Sequence, residues 1–396
     1  MRVLFVTTHP YLPLFYGGSE MSAHHLANHF AADGHHVAVL SSLRNRRNMR
    51  ALRYRLAARL ASGIAHDRMM GYSVYRAWRP ENHIATIVRR EASDIAILQA
   101  GRQNDMAKAV IATGTPFIYY LRDLGFSFTD ADRSILQHAA FVANSRYTAR
   151  VFHERTGRTA AVIPPLVIGE NYRNPGPGDK VLFVNPNHQK GVDIALQLAE
   201  RNPDIPFLFI EGWGLPKDLQ SVVRARARAL ANLIWKPSTA NMKAVYAQAR
   251  IVLMPTGTPF QGQPVDFVET WGRVATEAQF SGIPVIATNR GGLPESVGDG
   301  GILIDAGASI ETWHDALRRL WADRDFYAAC SARARRHADR EEIKPERLFA
   351  RLFRICLETA SAMPALAPPS PAHRQAAEAR QATDILAASA PSAARK

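Results

Sequence analysis

At 396 residues the chain exceeds what one ordinary hydrophobic core serves, and it fits two domains. Its 47% apolar and 9% aromatic content is that of a soluble globular protein, and excludes a chain too polar to bury a core. A formal charge of +14 admits nucleic acid, an anionic membrane surface or an anionic substrate as partner. Only two cysteines, Cys330 and Cys356, are present. They make no disulfide framework, which suits a reduced compartment, and no CxxC or Cys/His cluster suggests a zinc site.

The first apolar run, Val3-Leu4-Phe5-Val6, stops at Thr7-Thr8-His9-Pro10. It is too short for a signal peptide and reads as a strand over Val3–Thr7. No uninterrupted apolar run is long enough to span a bilayer, so a cytoplasmic protein is expected, held at the inner membrane face only by a surface contact or a partner. Gly17-Gly18 makes a turn, and Ser19 is expected to cap a helix from Glu20 to about Ala32. Gly34 stops that helix, and Val37–Leu40 is the next strand.

A basic segment follows. Arg44, Arg46, Arg47, Arg50, Arg53, Arg55 and Arg59 crowd it, and no Asp or Glu lies between Asp33 and Asp67. Met49, Leu52, Leu56 and Leu60 recur at helical spacing. The pattern is a basic amphipathic helix, suited to a solvated face or to an anionic surface. No aromatic–basic interleaving accompanies it, so nucleic acid is not the expected partner.

Further strands are expected at Ile95–Leu98, Pro116–Tyr120 and Phe141–Ala143, the last leading through Asn144-Ser145 into a helix. Ala161–Leu166 reads as a short strand. Asn174-Pro175-Gly176-Pro177-Gly178-Asp179 is the clearest linker. The pattern then restarts. Val181–Val184 is a strand, and Lys190-Gly191 opens a helix. Phe207–Glu211, Asn232–Trp235, Ile251–Met254, Pro284–Ala287 and Ile302–Ile304 are further strands. Strands separated by helices imply parallel sheets. A last helix spans Pro345–Ala360, and the Ala/Pro/Ser-rich tail after Met363 reads as disordered or weakly helical.

Two features invite chemistry. Glu269 and Glu277 flank a short glycine turn that opens a helix, followed by the strand at Pro284 and a second turn, Gly291-Gly292. That order places acidic groups and free backbone N–H groups at one end of a parallel sheet, which suits a polyhydroxylated, phosphorylated ligand. Five histidines, His24, His25, His29, His35 and His36, raise a metal reading. No acidic residue sits where a zinc protease helix needs one, so a structural or surface role is expected.

The stretch from Glu269 to Gly301 resembles the donor-sugar signature of retaining glycosyltransferases with the GT-B fold, above all glycosyltransferase family 4 and its E-x7-E pattern. The resemblance covers about residues 1–360. It implies two facing Rossmann-like α/β domains: residues 1–174 for the acceptor, 175–340 for the nucleotide-sugar donor, and a helix within 341–362 crossing back onto the first domain. It implies that Glu269 faces the sugar, that Glu277 holds the ribose hydroxyls, and that the N–H groups of Gly272, Arg273 and Val274 take the diphosphate. Lys190 would neutralise the leaving diphosphate, and the Gly17-Gly18 loop would contact donor or acceptor. Gly34-His35-His36-Val37 is close to the family's GH-x-V.

Arg122-Asp123 ends a strand at the ligand-binding face; many family members carry His at the position of Arg122, and Asp123 joins Glu269 and Lys190 as a catalytic candidate. A salt bridge between Arg122 and Asp123 is the structural alternative. The family's usual Arg five residues before Lys190 is Asn185 here, with Arg273 or His188 as candidate replacements. Trp213 replaces the acidic residue of the family's G-D-G turn. Trp235 is a candidate base-stacking residue, with a core role the alternative.

The implied reaction moves a hexose from a UDP- or GDP-sugar to a saccharide, lipid-linked or other acceptor with retention, needing no metal or other cofactor. An epimerase or phosphorylase on the same fold, and a non-catalytic nucleotide-sugar-binding protein, stay open. An epimerase releases an altered nucleotide sugar without acceptor; a binding protein takes a nucleoside diphosphate without transfer.

Overall fold

The structure is a computed structural model that describes residues 1–43, 49–212 and 217–362. Arg44, Arg46, Arg47, Trp213 and the tail after residue 362 lie outside the described residues.

Among the described residues, fourteen strands form two sheets. The first contains β1 (Arg2–Pro10), β2 (His36–Ser42), β3 (Ile64–Asp67), β4 (Ser73–Ala77), β5 (Ile95–Gln99), β6 (Phe117–Leu121), β7 (Ala139–Ala143) and β8 (Ala161–Val162), ordered β3-β4-β2-β1-β5-β6-β7-β8. The second contains β9 (Lys180–Val184), β10 (Phe207–Ile210), β11 (Leu233–Lys236), β12 (Ala249–Met254), β13 (Val285–Thr288) and β14 (Gly301–Ile304), ordered β11-β10-β9-β12-β13-β14. All pairs are parallel except β3 with β4. Strand order reverses between β1 and β5 and between β9 and β12. Ligands of such sheets bind beyond the strand C-termini at these reversals.

The short apolar runs form buried strands because helices cover both faces of each sheet. Val3 and Phe5 enter one core while Leu4 and Val6 enter the core on the opposite face. In the second sheet Val181 and Phe183 separate from Leu182 in the same way. Two short strands, β3 and β4, were not expected from the sequence. The β4 segment SVYRA carries a fully buried Arg76, whose Nε donates to Asp67 and Nη2 to the Leu12 carbonyl. A charged residue mid-strand hid the apolar pattern.

Three boundaries differ from expectation. The first helix is Gly18–Ala32 with Gly17 as its N-cap, not Ser19. Ser19 instead donates to Glu20 Oε1 at 2.8 Å. The strand expected over Ala161–Leu166 stops at Val162, ahead of Pro164-Pro165, and Lys190 ends a short 3-10 turn, with the helix Val192–Arg201 starting after Gly191.

The last helix, Pro345–Ala362, returns to the first sheet. Leu348, Leu352 and Cys356 sit in the same core as Val3 and Phe5. Phe349 meets Phe30 edge-on at 4.9 Å, and Phe353 stacks on His35 at 4.7 Å. Leu352 is fully buried. Leu352→Ala is expected to lower the unfolding free energy by about 2–5 kcal/mol, read by urea denaturation. A loss below roughly 1 kcal/mol would show that this crossing carries little of the first domain's stability.

The domains also interlock through one side chain. Trp271 belongs by sequence to the second sheet's half, yet it is buried in the first domain's core beside Ile163 and Leu166. Val167 and Tyr172 pack the other way, into the second domain's core. Cys330 and Cys356 are both buried and free.

Candidate active site

The loops after β9 and β12 meet at the second sheet's reversal. After β9 the chain turns at Asn187, whose side chain accepts from Gln189 N at 3.0 Å, and presents Lys190. Gly191 has φ +80°, and a Cβ there would lie 2.0 Å from the Pro255 carbonyl oxygen. Gly257 N donates to Gln189 O at 3.0 Å. The Lys190 turn is therefore pressed onto the β12 loop by a contact that only glycine permits.

Lys190 Nζ pairs with Glu269 Oε2 and lies 4.8 Å from the Phe267 ring centroid. The two charged side chains are only 13% and 20% exposed, so their field is weakly screened. The second glycine turn clamps Glu269 from above. Gly292 N donates to Glu269 O at 2.8 Å. A Cβ on Gly291 would lie 2.4 Å from Glu269 O, and one on Gly292 would lie 2.0 Å from Thr270 O.

Gly272, at φ +87°, caps the helix Arg273–Gln279. Its missing Cβ makes room for Leu293 Cδ2, 2.7 Å from where that atom would sit. Gly272, Arg273 and Val274 thus form the first turn of this helix, where backbone N–H groups lack intrahelical partners. Arg273 is a structural strut in this state. Its guanidinium donates from Nε to Glu277 Oε1 at 3.1 Å, and from Nη1 to Ser22 Oγ and Leu166 O, both at 2.9 Å. Gly18 lets it pass: a Cβ there would be 3.3 Å from Arg273 Cδ. Glu277 also accepts from Tyr246 OH at 2.8 Å through Oε2.

The first domain contributes a different set. Gly17 leaves room for the Glu20 carboxylate, whose Oε2 would lie 2.2 Å from a Cβ there. Glu20 Oε1 meets His9 Nδ1 at 3.2 Å. That hydrogen bond raises the His9 pKa above its ordinary value, and the charge of Asp123 adds to it. Asp123 itself is exposed and accepts from Gly125 N at 2.9 Å. It lines a cleft of about 290 Å³ with Gly101, Asn104 and Tyr119. No ion pair joins it to Arg122 within the described residues, so the salt bridge weighed for that pair is not formed. Arg122 lies over the Tyr120 ring at 4.0 Å.

The structure thus brings Lys190, Glu269 and the Gly272 turn together, and Gly18 to Arg273. Asp123 stands apart on the first domain. Asn185, at φ +66°, packs against Gly212. Arg273 is matched by Glu277, and His188 leaves its buried Nδ1 without a protein partner. Trp235 donates to Glu211 Oε1 at 2.8 Å and packs on Phe209 in the core. Sequence reasoning missed Thr270, Asn144, His9 and Tyr246, because each is an ordinary polar residue whose role depends on a neighbour far along the chain.

The histidines have structural work. His24 Nδ1 lies 2.6 Å from Tyr72 OH, and His25 Nδ1 lies 3.1 Å from Leu166 O. Burial, with Arg273 nearby, lowers the His25 pKa to about 4. His29 stacks on Phe349, and His36 pairs with Glu91.

Polar contacts cross between the domains. Asn144 Nδ2 donates to Thr270 Oγ1 at 2.8 Å, and Thr270 Oγ1 donates to Arg122 O at 2.8 Å. Glu295 accepts from Arg146 N at 2.9 Å and Tyr147 N at 2.7 Å, at a helix N-terminus where a carboxylate is favoured. Beside them opens a cleft of about 490 Å³ lined by Arg146, Arg150 and Arg290.

Two Rossmann-like domains facing one another, with a last helix crossing back, define the GT-B class of glycosyltransferase fold. Solved structures share it: a glycosyltransferase from Rickettsia africae, 13% identical, covers 91% of this chain and 99% of its own with a TM-score of 0.69. Anabaena HepE in complex with UDP-glucose, 16% identical, covers 90% and 100% with a TM-score of 0.69.

Residues 16–168 match the profile of Glycosyltransferase Family 4, and residues 171–337 match that of Glycosyl transferases group 1. The chain belongs to the family 4-like glycosyltransferases. Among curated relatives, the D-inositol 3-phosphate glycosyltransferase of Corynebacterium urealyticum is 34% identical over 165 residues, 38% of this chain and 36% of that protein. Its counterpart in Rhodococcus erythropolis is 28% identical over 228 residues, 50% of this chain and 49% of that protein. The matches span about a third and a half of these two relatives' lengths.

Proposed function

We propose that the protein transfers a hexose from a nucleotide sugar to an acceptor, with retention of anomeric configuration. The observation that carries this reading is the Lys190–Glu269 pair at the second sheet's strand reversal, facing the first domain. A phosphorylated sugar bound there would replace the carboxylate as the partner of Lys190. Lys190 and the N–H groups of the Gly272 turn would then stabilise charge growing on the departing diphosphate. Glu269, released from Lys190, would hold sugar hydroxyls, and Glu277 the ribose. With retention, the acceptor attacks from the face the diphosphate leaves, so the leaving phosphate can accept its proton.

Asp123 and the Gly17-Gly18 loop belong in this reading to the acceptor side, across residues 1–174, with the donor on 175–340. The arginine-lined cleft beside Gly291 supports an acceptor that carries negative charge. So do relatives named for inositol 3-phosphate. UDP-glucose on HepE supports a uridine nucleotide as the first donor to try. A thermal-shift panel of UDP, GDP and their hexoses tests the donor. Binding at 100 times Kd adds about 2.7 kcal/mol to stability, so the cognate nucleotide raises the melting temperature and the others do not. A flat response across the panel would sink the reading.

The basic helix is the proposed membrane-facing element. In the helix Met49–Leu60, Leu52, Leu56 and Leu60 are 45%, 52% and 90% exposed, one apolar ridge at helical spacing. Arg53 and Arg59 are exposed on the same helix. No helix among the described residues is long and apolar enough to cross a membrane. Docking on anionic lipid fits both the ridge and the charge. Wild type is expected to sediment with phosphatidylglycerol vesicles at low salt and to release at high salt. Leu56→Asp with Arg53→Ser is expected to abolish sedimentation; wild type that ignores such vesicles removes the idea.

A further inference from the structure

At the domain seam a buried guanidinium has no ion-pair partner among the described residues. Arg122 is 9% exposed, and its Nε and Nη2 have no hydrogen-bond partner. Its backbone is fixed: its carbonyl oxygen accepts from Thr270 Oγ1 at 2.8 Å and from Asn144 Nδ2 at 3.2 Å. The side chain rests on the Tyr120 ring, which orients it without neutralising it. Among the described residues no carboxylate forms an ion pair with it. Burial lowers its pKa; Tyr120 opposes this most, Arg273 adds to the lowering, and Glu20 and Tyr11 oppose it further. Burying a charge without a partner is costly, and a native structure that does so keeps a place for a counter-ion.

The cations around this seam differ in one respect. Lys190 is matched by Glu269, and Arg273 by Glu277. Arg122 is not matched. Its backbone carbonyl oxygen accepts from Thr270, the residue after Glu269, so its main chain is anchored next to the Lys190 partner while its guanidinium lies over the Tyr120 ring. Asn185, the neutral residue five before Lys190, supplies no charge from the β9 loop.

We infer that Arg122 binds the diphosphate of the nucleotide sugar across the domain seam, adding a first-domain cation to Lys190 of the second. This inference rests on the nucleotide-sugar reading above. A guanidinium suits the role because its planar fork matches phosphate oxygens. It also makes the diphosphate a bridge. Lys190 holds it from one domain and Arg122 from the other, so binding a charged donor draws the seam shut while a nucleoside does not.

The test is calorimetric titration of full-length wild type, Arg122→Met and Arg122→Lys with UDP, GDP, uridine and guanosine, with UDP-glucuronate as a further arm. Wild type is expected to bind one of the two diphosphates. Arg122→Met is expected to weaken that diphosphate by at least about tenfold, to leave the matching nucleoside unchanged and to keep or raise the melting temperature without ligand. Arg122→Lys restores part of the affinity.

Equal diphosphate affinity in wild type and Arg122→Met overturns the inference and leaves the nucleotide-sugar reading standing. So does an effect confined to UDP-glucuronate, which would move the contact to a sugar carboxylate. Weaker nucleoside binding with a lowered melting temperature overturns it in favour of a structural role. Wild type that binds neither UDP nor GDP overturns both.

Discussion

Lys190→Ala is expected to lower kcat/KM for sugar transfer by about 100- to 1,000-fold, the cost of removing one preorganised donor from a developing anion. The magnitude follows from where Lys190 sits. Its side chain is 13% exposed and paired with Glu269, on a turn whose backbone is pressed onto Pro255 at Gly191, so it is held in place with little contact with water. Glu269→Ala is expected to lose a comparable factor, because it removes both the proposed sugar contact and the group that pairs with Lys190. The two residues act as one unit, so the double variant falls little below the worse single one. Initial rates of nucleoside diphosphate release, with circular dichroism as a check on folding, measure this. Near-normal rates in both single variants would remove them from the site.

The second large effect is expected at a residue that touches no ligand. Gly291→Ala adds a Cβ 2.3 Å from Val268 Cγ1 and 2.4 Å from Glu269 O, at φ +68°. Backbone strain and overpacking together cost roughly 3 kcal/mol, and the chain relieves them by pushing Glu269 away. Lower stability by chemical denaturation and a loss of kcat are expected together. A variant with wild-type stability and turnover would show that this turn does not position Glu269. Gly307, with open space around its missing Cβ, serves as control: Gly307→Ala is expected to be neutral.

Much of the fold was legible because apolar runs in a doubly covered sheet keep their identity regardless of neighbours. Val3–Val6, Val181–Val184 and Ile251–Met254 are such runs. The Lys190 and Glu269 loops were legible for a second reason: their glycines mark places where backbones touch. The structure shows what those glycines touch, which the sequence could not. Gly292 meets Thr270 O, and Gly191 meets Pro255 O.

What stayed hidden is long-range pairing of polar groups. Arg273 reads as a phosphate cation in a motif, but its partners Ser22, Leu166 and Glu277 make it a strut. Within the described residues, the part of the arginine run from Arg50 to Arg59 forms a helix, and its Leu52–Leu56–Leu60 ridge faces outward. The helix is held instead through Ala51 and Ala58, which are small enough for periodicity to pass over.

Trp271 sets how the two halves can move. Its indole is sunk in the first domain's core while its backbone belongs to the second. The domains are pinned at this point, and the last helix ties them again behind it. Parting them would drag an indole through water, so the inexpensive motion is a swivel with Trp271 near its axis. Glu269 is two residues from that axis, and Asp123 follows Arg122, whose carbonyl oxygen accepts from Thr270 beside Trp271, so both carboxylates lie close to the pin. A swivel about this point would leave Glu269 and Asp123 almost stationary relative to each other, and most of the movement would fall on parts of the two domains far from the seam.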